Sequence, residues 1–127
     1  MIFDTDILIE LLQKSEAAAF LIDSVPLERR NVCVISYLEL VRGCRSRENL
    51  KRIQQFVRNR FTEVIGVTRE MNALAVRIMD EYALSHRPGA VDVLIAAAAL
   101  DRREPLVTGN FKHYRFIPGL EVKQFRP

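Results

Sequence analysis

Short apolar runs alternate along this chain with longer stretches in which apolar residues recur every three or four positions. Ile2-Phe3 reads as a short strand, and the pattern from Ile7 to Leu12 predicts a helix. Ser15 stands where it would cap a second helix through Glu16-Ala-Ala-Ala-Phe-Leu-Ile. Val32 to Ile35 predicts a second strand, and Ser36 then opens a helix through Tyr37-Leu-Glu-Leu-Val-Arg that stops at Gly43. Leu50, Ile53, Phe56 and Val57 share one face of a helix over 47–60. Glu63-Val-Ile-Gly-Val predicts a strand, and Thr68 caps a long helix carrying Met71, Leu74, Ala75, Ile78, Met79 and Tyr82. After the Pro88-Gly89 break come an apolar helix from about Val91 to Arg102, a strand at Pro105-Leu-Val-Thr and a last strand at Leu120-Glu-Val-Lys-Gln-Phe.

Strands alternating with helices imply βαβ crossovers, and hence a three-layer α/β/α sandwich around a mostly parallel sheet of about four or five strands. The apolar, non-alternating runs Val32–Ile35 and Val64–Val67 suit strands covered on both faces. With 127 residues, no repeat and no linker, a single domain over 1–127 is expected.

Ligands of such sheets bind beyond the carboxyl ends of the strands, where the strand order reverses. Asp4 ends the first strand. Glu39 falls in the first turn after the second, and Asp92 in the first turn of the apolar helix. Thr108-Gly109-Asn110 leaves the fourth strand. All lie on one edge of one sheet. Carboxylates brought together repel, which raises a pKa or recruits a cation. Oxygen donors without a cysteine or histidine cluster favour a hard ion such as Mg²⁺ or Mn²⁺, which suits phosphodiester hydrolysis.

Each acid also has a plain structural role open to it. Asp4 and Asp6 could cap the helix that follows them. Ser36 and Glu39 match a capping box. Asp92 could be a first-turn acid favoured by the helix dipole, although Val93, Leu94, Ile95 and the alanines bury that helix and make an idle carboxylate costly.

Charge and cysteines refine this little. Lys and Arg number 19 against 16 Asp and Glu, a net charge of +3. The excess gathers at Arg42, Arg45, Arg47, Lys51 and Arg52, and again at Lys112, His113 and Arg115, which makes phosphate-rich partners plausible. Cys33 lies in an apolar run, and Cys44 follows Gly43. Two cysteines without metal-ligand spacing suggest free thiols and a cytoplasmic setting. A core-like strand at the start suggests no signal peptide, and no run is long enough to span a membrane.

Asp4-Thr5-Asp6-Ile7-Leu8-Ile9 resembles the D-T-N-x-L-I opening of PIN-domain ribonuclease toxins of the VapC type. Ser36-Tyr-Leu-Glu39-Leu resembles their second motif, Asp92-Val-Leu-Ile-Ala-Ala their third, and Leu106-Val-Thr-Gly-Asn110-Phe-Lys-His-Tyr with Ile117-Pro-Gly-Leu-Glu-Val their closing segment. The resemblance implies a PIN-like fold, a Mg²⁺-dependent endoribonuclease, and inhibition by a VapB-type antitoxin. It also implies a homodimer and toxin–antitoxin hetero-oligomers. Asp4, Asp92 and Glu39 would hold the ion, with Asn110 as a neutral ligand or water-positioning group and Thr108 in support. Lys112, His113 and Arg115 would hold RNA phosphates. The sequence departs from the pattern at His113, where a fourth acid is often found, so one well-held ion is expected. Asp6 replaces the usual Asn or Ser, and should hydrogen-bond the loops beneath the site.

Two other readings compete. Phe3-Asp4-Thr-Asp6 also resembles the D-x-D opening of haloacid-dehalogenase-type phosphatases, in which the first Asp is a nucleophile. A PIN-like module that binds RNA or protein without cutting it is the other. The segment Leu38 to Phe56, apolar positions set between basic ones, would suit a groove for an amphipathic partner helix.

Overall fold

The computed structural model describes residues 1–127. Five strands form one wholly parallel sheet: β1 (Ile2–Phe3), β2 (Asn31–Cys33), β3 (Glu63–Ile65), β4 (Leu106–Thr108) and β5 (Val122–Gln124), in the order β3-β2-β1-β4-β5. Helices α1 (Thr5–Leu12), α2 (Glu16–Asp23), α3 (Val34–Arg42), α4 (Arg47–Arg60), α5 (Arg69–Tyr82) and α6 (Ala90–Arg102) supply the outer layers. No helix is long and apolar enough to cross a membrane.

The strand side chains divide between two cores, as a pleat requires. Ile2, Cys33, Ile65 and Leu106 face one layer, where Met71 and Ile78 of α5 meet the alanines of α6. Phe3, Val32 and Val107 face the other, against Ile7 and Leu8 of α1, Ile22 of α2 and Leu40 of α3. Phe61 stands edge-on to Phe3, with ring centroids 5.8 Å apart. The order turns at β1, flanked by β2 on one side and β4 on the other, so the crevice of the fold opens beyond Phe3 and Thr108.

Ser15 and Thr68 cap α2 and α5 as predicted, accepting from the N–H groups of Ala18 and Met71. Around α3 the structure departs from the sequence reading. β2 ends at Cys33 and runs straight into a helix at Val34, so Ser36 lies inside α3 and no capping box with Glu39 forms. The Ser36 hydroxyl meets Thr5 Oγ1 at 2.8 Å instead, and that tertiary contact replaces the local cap. Glu39 consequently sits in the second turn of α3. Gly43 does end that helix, but in the right-handed region (φ −74°). The run Val64–Val67 is not covered on both faces: β3 is an edge strand ending at Ile65, and Val64 and Val67 are 38% and 45% exposed.

α6 explains why this helix is made of small residues. Ala96, Ala97 and Ala98 are fully buried, and α5 packs closely across them. A larger side chain there has nowhere to go. Ala97→Leu is expected to lower stability by about 1–3 kcal/mol in urea unfolding, whereas Ala73→Leu on the exposed face of α5 should change it little.

Candidate functional site

Asp4 leaves β1 while its backbone N–H still donates to the Val107 carbonyl at 2.9 Å, so the ladder itself fixes its position. Its side chain is 4% exposed. Oδ1 accepts from the Thr5 N–H at 2.8 Å, capping α1, and Oδ2 accepts from the Thr108 hydroxyl at 2.7 Å. The helix cap foreseen for Asp4 therefore exists, and coexists with a contact to β4. Burial pushes the Asp4 carboxyl up to about 6; the Thr108 bond opposes this and the nearby Asp6 charge adds to it.

Asp6 lies in the first turn of α1, and its Oδ2 accepts from the Gly109 N–H at 2.8 Å. It thus ties together the loops beneath the site. Position 109 requires glycine because a Cβ there would lie 2.8 Å from that same oxygen. The other oxygen, Oδ1, is buried without a partner. Burial raises the Asp6 pKa, the Gly109 and Ile7 N–H groups oppose the shift, and the charges of Asp92 and Glu10 reinforce it.

Asp92 lies in the first turn of α6 and is half-buried. Its Oδ1 accepts from the Tyr114 hydroxyl at 3.1 Å, and its Oδ2 meets His113 Nδ1 at 3.1 Å. Tyr114 went unnoticed in the sequence, yet it links the acids. Its ring is fully buried, and burial followed by the charges of Asp4 and Asp92 raises its pKa, keeping the hydroxyl protonated as a donor. The one signal was a tyrosine in an apolar closing segment, where a buried hydroxyl needs a partner.

The other candidates are distributed unevenly. Thr108 bonds Asp4 and also accepts from the Asn110 N–H at 3.0 Å, which holds Asn110 beside the acids. Glu39 stands at the rim, exposed, 3.1 Å from the Thr5 hydroxyl. Lys112 and His113 belong to a short 3-10 turn, Phe111–His113, that borders Asp92. Arg115 lines a separate hollow with Asn110 and Arg126.

The donor set can be tested against a divalent ion. It offers oxygens only, with a carboxylate burdened by burial and a buried carboxylate oxygen lacking any donor. Mg²⁺ keeps several waters and needs one or two carboxylates, so Asp4 and Asp92 suit it. A three-acid shell is not present: no three acidic, histidine or cysteine side chains converge closely enough to hold an ion together.

A parallel α/β/α sandwich with carboxylates gathered at its switch point is the class of protein that fold and site define. The PIN domain family model matches residues 1–116, and the chain belongs to that family. Among solved structures it is similar to VapBC-1 from nontypeable Haemophilus influenzae, with 25% identity, a TM-score of 0.83 and 98% of each chain covered. It is similar also to VapBC2 from Rickettsia felis bound to a DNA fragment from their promoter (20% identity, TM-score 0.85, 99% of this chain and 100% of that one). A toxin–antitoxin complex from Klebsiella pneumoniae matches at 24% identity with a TM-score of 0.82, covering 98% of this chain and 97% of that chain. No curated protein matches the sequence.

The Asp4 shift has a consequence for stability. Its folded pKa of about 6 lies above the ordinary 3.8, so the folded state holds the proton longer than the unfolded chain. Asp4 therefore costs stability as pH rises through that interval, on the order of 1–3 kcal/mol once fully ionised. Asp4→Asn, which keeps a capping oxygen, is expected to raise Tm at pH above the shifted pKa and to lose that advantage in acid. Added Mg²⁺ should raise the Tm of the wild type and leave the variant unmoved.

Proposed function

We propose that the chain is the toxin of a VapBC-type pair, a Mg²⁺-dependent endoribonuclease that hydrolyses RNA phosphodiester bonds. The observation that carries this reading is carboxylate charge gathered at the switch point with hydroxyl and amide partners but little cationic compensation. Membership of the PIN domain family and the likeness to VapBC complexes support it.

In this mechanism Asp4 and Asp92 would hold the ion, and Glu39 would reach it through water. Bound there, the ion supplies neutralisation of the phosphoryl oxygens and a more acidic water. Thr108 and Tyr114 fix the orientation of the two carboxylates, while Asp6 and Asn110 hold the loop that leaves β4. A flanking carboxylate takes the proton of the attacking water, which approaches phosphorus in line with the leaving oxygen. Lys112, His113 and Arg115 hold RNA phosphates. The products would carry a 5′-phosphate and a 3′-hydroxyl. The phosphatase alternative suits the chain less well, because such enzymes need a paired acidic motif after a later strand, and Asp92 is the single candidate here.

A VapB-type antitoxin would be the partner. The groove of about 430 Å³ between α1, α3 and α4, with Ile9, Leu12, Leu40 and Ile53 beside Glu39 and Arg52, suits an amphipathic helix. Homodimers and toxin–antitoxin hetero-oligomers belong to the same proposal.

Total RNA incubated with the protein and Mg²⁺ is expected to be cut, and EDTA should stop cleavage. Asp92→Asn should slow it on the order of 100-fold or more. Cleavage at the wild-type rate by that variant would remove the assignment. Induced expression of the chain alone should arrest growth, and co-expression of a small neighbouring gene product should relieve the arrest. Harmless accumulation at high level would count against a toxin.

One observation favours a second reading, a module that binds RNA without cutting it: His113 occupies the Asp92 oxygen that an ion would need. RNA binding that persists while a panel of divalent ions gives no cleavage would establish that reading instead.

A further inference from the structure

We infer that the hollow beside Asp92, between the α5–α6 turn and the Phe111–His113 turn, is a single-nucleotide subsite for RNA, stacking a base on His86 and holding phosphate on Arg87 and Lys112. The inference rests on the ribonuclease reading of the neighbouring carboxylates. The hollow measures about 340 Å³, and His86, Arg87, Asp92, Lys112, His113 and Phe116 are in its wall. That volume lies at the small end of ligand pockets, suited to one nucleotide more than to a folded partner.

Stacking has a prepared surface here. The His86 ring lies flat on Phe116, with centroids 4.3 Å apart and planes inclined by 16°. Tyr82 stands edge-on to both rings, at 5.5 and 4.9 Å. Ser85 Oγ meets His86 Nδ1 at 2.8 Å, which fixes the ring about its remaining freedom. His86 is nonetheless exposed, so with Phe116 covering one face, the exposure falls on the other face and the edge. Base–aromatic stacking is tolerant of sequence because every base presents a π-face.

The cations are held in reserve. Neither Arg87 nor Lys112 forms an ion pair within the chain, although Asp92 is at hand. Arg87 also sits at φ +45°, in the left-handed region that a glycine would occupy more comfortably. Its N–H and that of His86 both donate to the Tyr82 carbonyl, at 3.2 and 2.9 Å, which locks the turn. The turn therefore holds the Arg87 backbone at the mouth of the hollow, with its side chain exposed and free of any ion pair. An acidic peptide could use the cations, but it would leave the ordered ring stack without a role.

Fluorescence anisotropy of a short labelled single-stranded RNA, measured on the full chain in EDTA, tests the subsite without cleavage. His86→Ala should weaken binding about tenfold, within the range for losing one stacked base, and His86→Phe should restore it. Arg87→Asn, which tolerates the left-handed backbone, should make the dependence of log K on log salt shallower by about 0.7. Arg103→Asn provides a matched control, since Arg103 is also exposed and left-handed (φ +54°) but sits at the opposite end of the sheet; it should leave binding unchanged. Wild-type affinity in His86→Ala, or equal effects of the two arginine variants, would overturn the subsite. A 2-aminopurine base in the RNA should be quenched by wild type and His86→Phe but not by His86→Ala. Binding through His86 with no cleavage under any divalent ion would retain the subsite and remove the nuclease. Cleavage with unaltered KM in His86→Ala would do the reverse.

Discussion

The carboxylate of Asp4, buried where β1 meets β4, is the constraint on which the rest of this structure depends. The backbone N–H of Asp4 is held by the ladder bond to Val107, and its carboxylate by the first amide of α1 and the Thr108 hydroxyl. A slip of one residue between β1 and β4 would turn Asp4 out of the crevice and carry Phe3 and Val107 off their shared core face. Register, helix start and site are therefore set together.

The partners supplied to these acids are of one kind. Thr108, Tyr114 and the amides of Thr5 and Gly109 orient the carboxylates without neutralising them. Hydrogen bonds from neutral donors recover part of the solvation lost on burial, but they leave the net charge in place. The nearest cations free of ion pairs, Arg87 and Lys112, stand further out around the hollow. A negative centre with cationic side chains at its border is the charge pattern on which the proposed metal-assisted cleavage of a polyanion rests.

Much of this was legible in the sequence because strand ends and helix starts carry strong local marks. Asp4 follows an apolar pair, Asp92 opens an apolar helix, and both fall where a parallel sheet places its ligands. What could not be read was non-local. Ser36 and Glu39 carry a capping-box pattern, yet β2 enters α3 without a turn, and the Ser36 hydroxyl is taken by Thr5, 31 residues away. Tyr114 looks like an ordinary core aromatic until the fold brings its hydroxyl to Asp92. The His86–Phe116 stack joins residues 30 positions apart through contacts that no periodicity announces. Val64 reads as a doubly covered strand residue because a sequence does not say which strand will lie at the edge.

The two ends of the sheet give the firmest ground for treating the Asp4 cluster as something other than structure. At the amino-terminal edge a second partly buried carboxylate, Glu104, receives the chain's terminal ammonium at 2.8 Å, the Asn31 amide at 2.7 Å and the guanidinium of Arg102. Burial alone would raise its pKa, and these partners outweigh burial and hold it below the ordinary carboxylate range. Glu104 is thus neutralised where it stands, and it contributes to the fold in its charged form. Asp4, at the other edge of the same sheet, is pushed the opposite way and is given no cation at all. The chain holds more basic than acidic residues and two of them lie beside Asp92, so a shortage of cations does not account for the difference. Two partly buried acids of one sheet are thus treated in opposite ways: Glu104 is paired with cations where it stands, while Asp4, like Asp6 beside it, is given neutral donors alone. It is this contrast on which the proposal of an incoming cation rests.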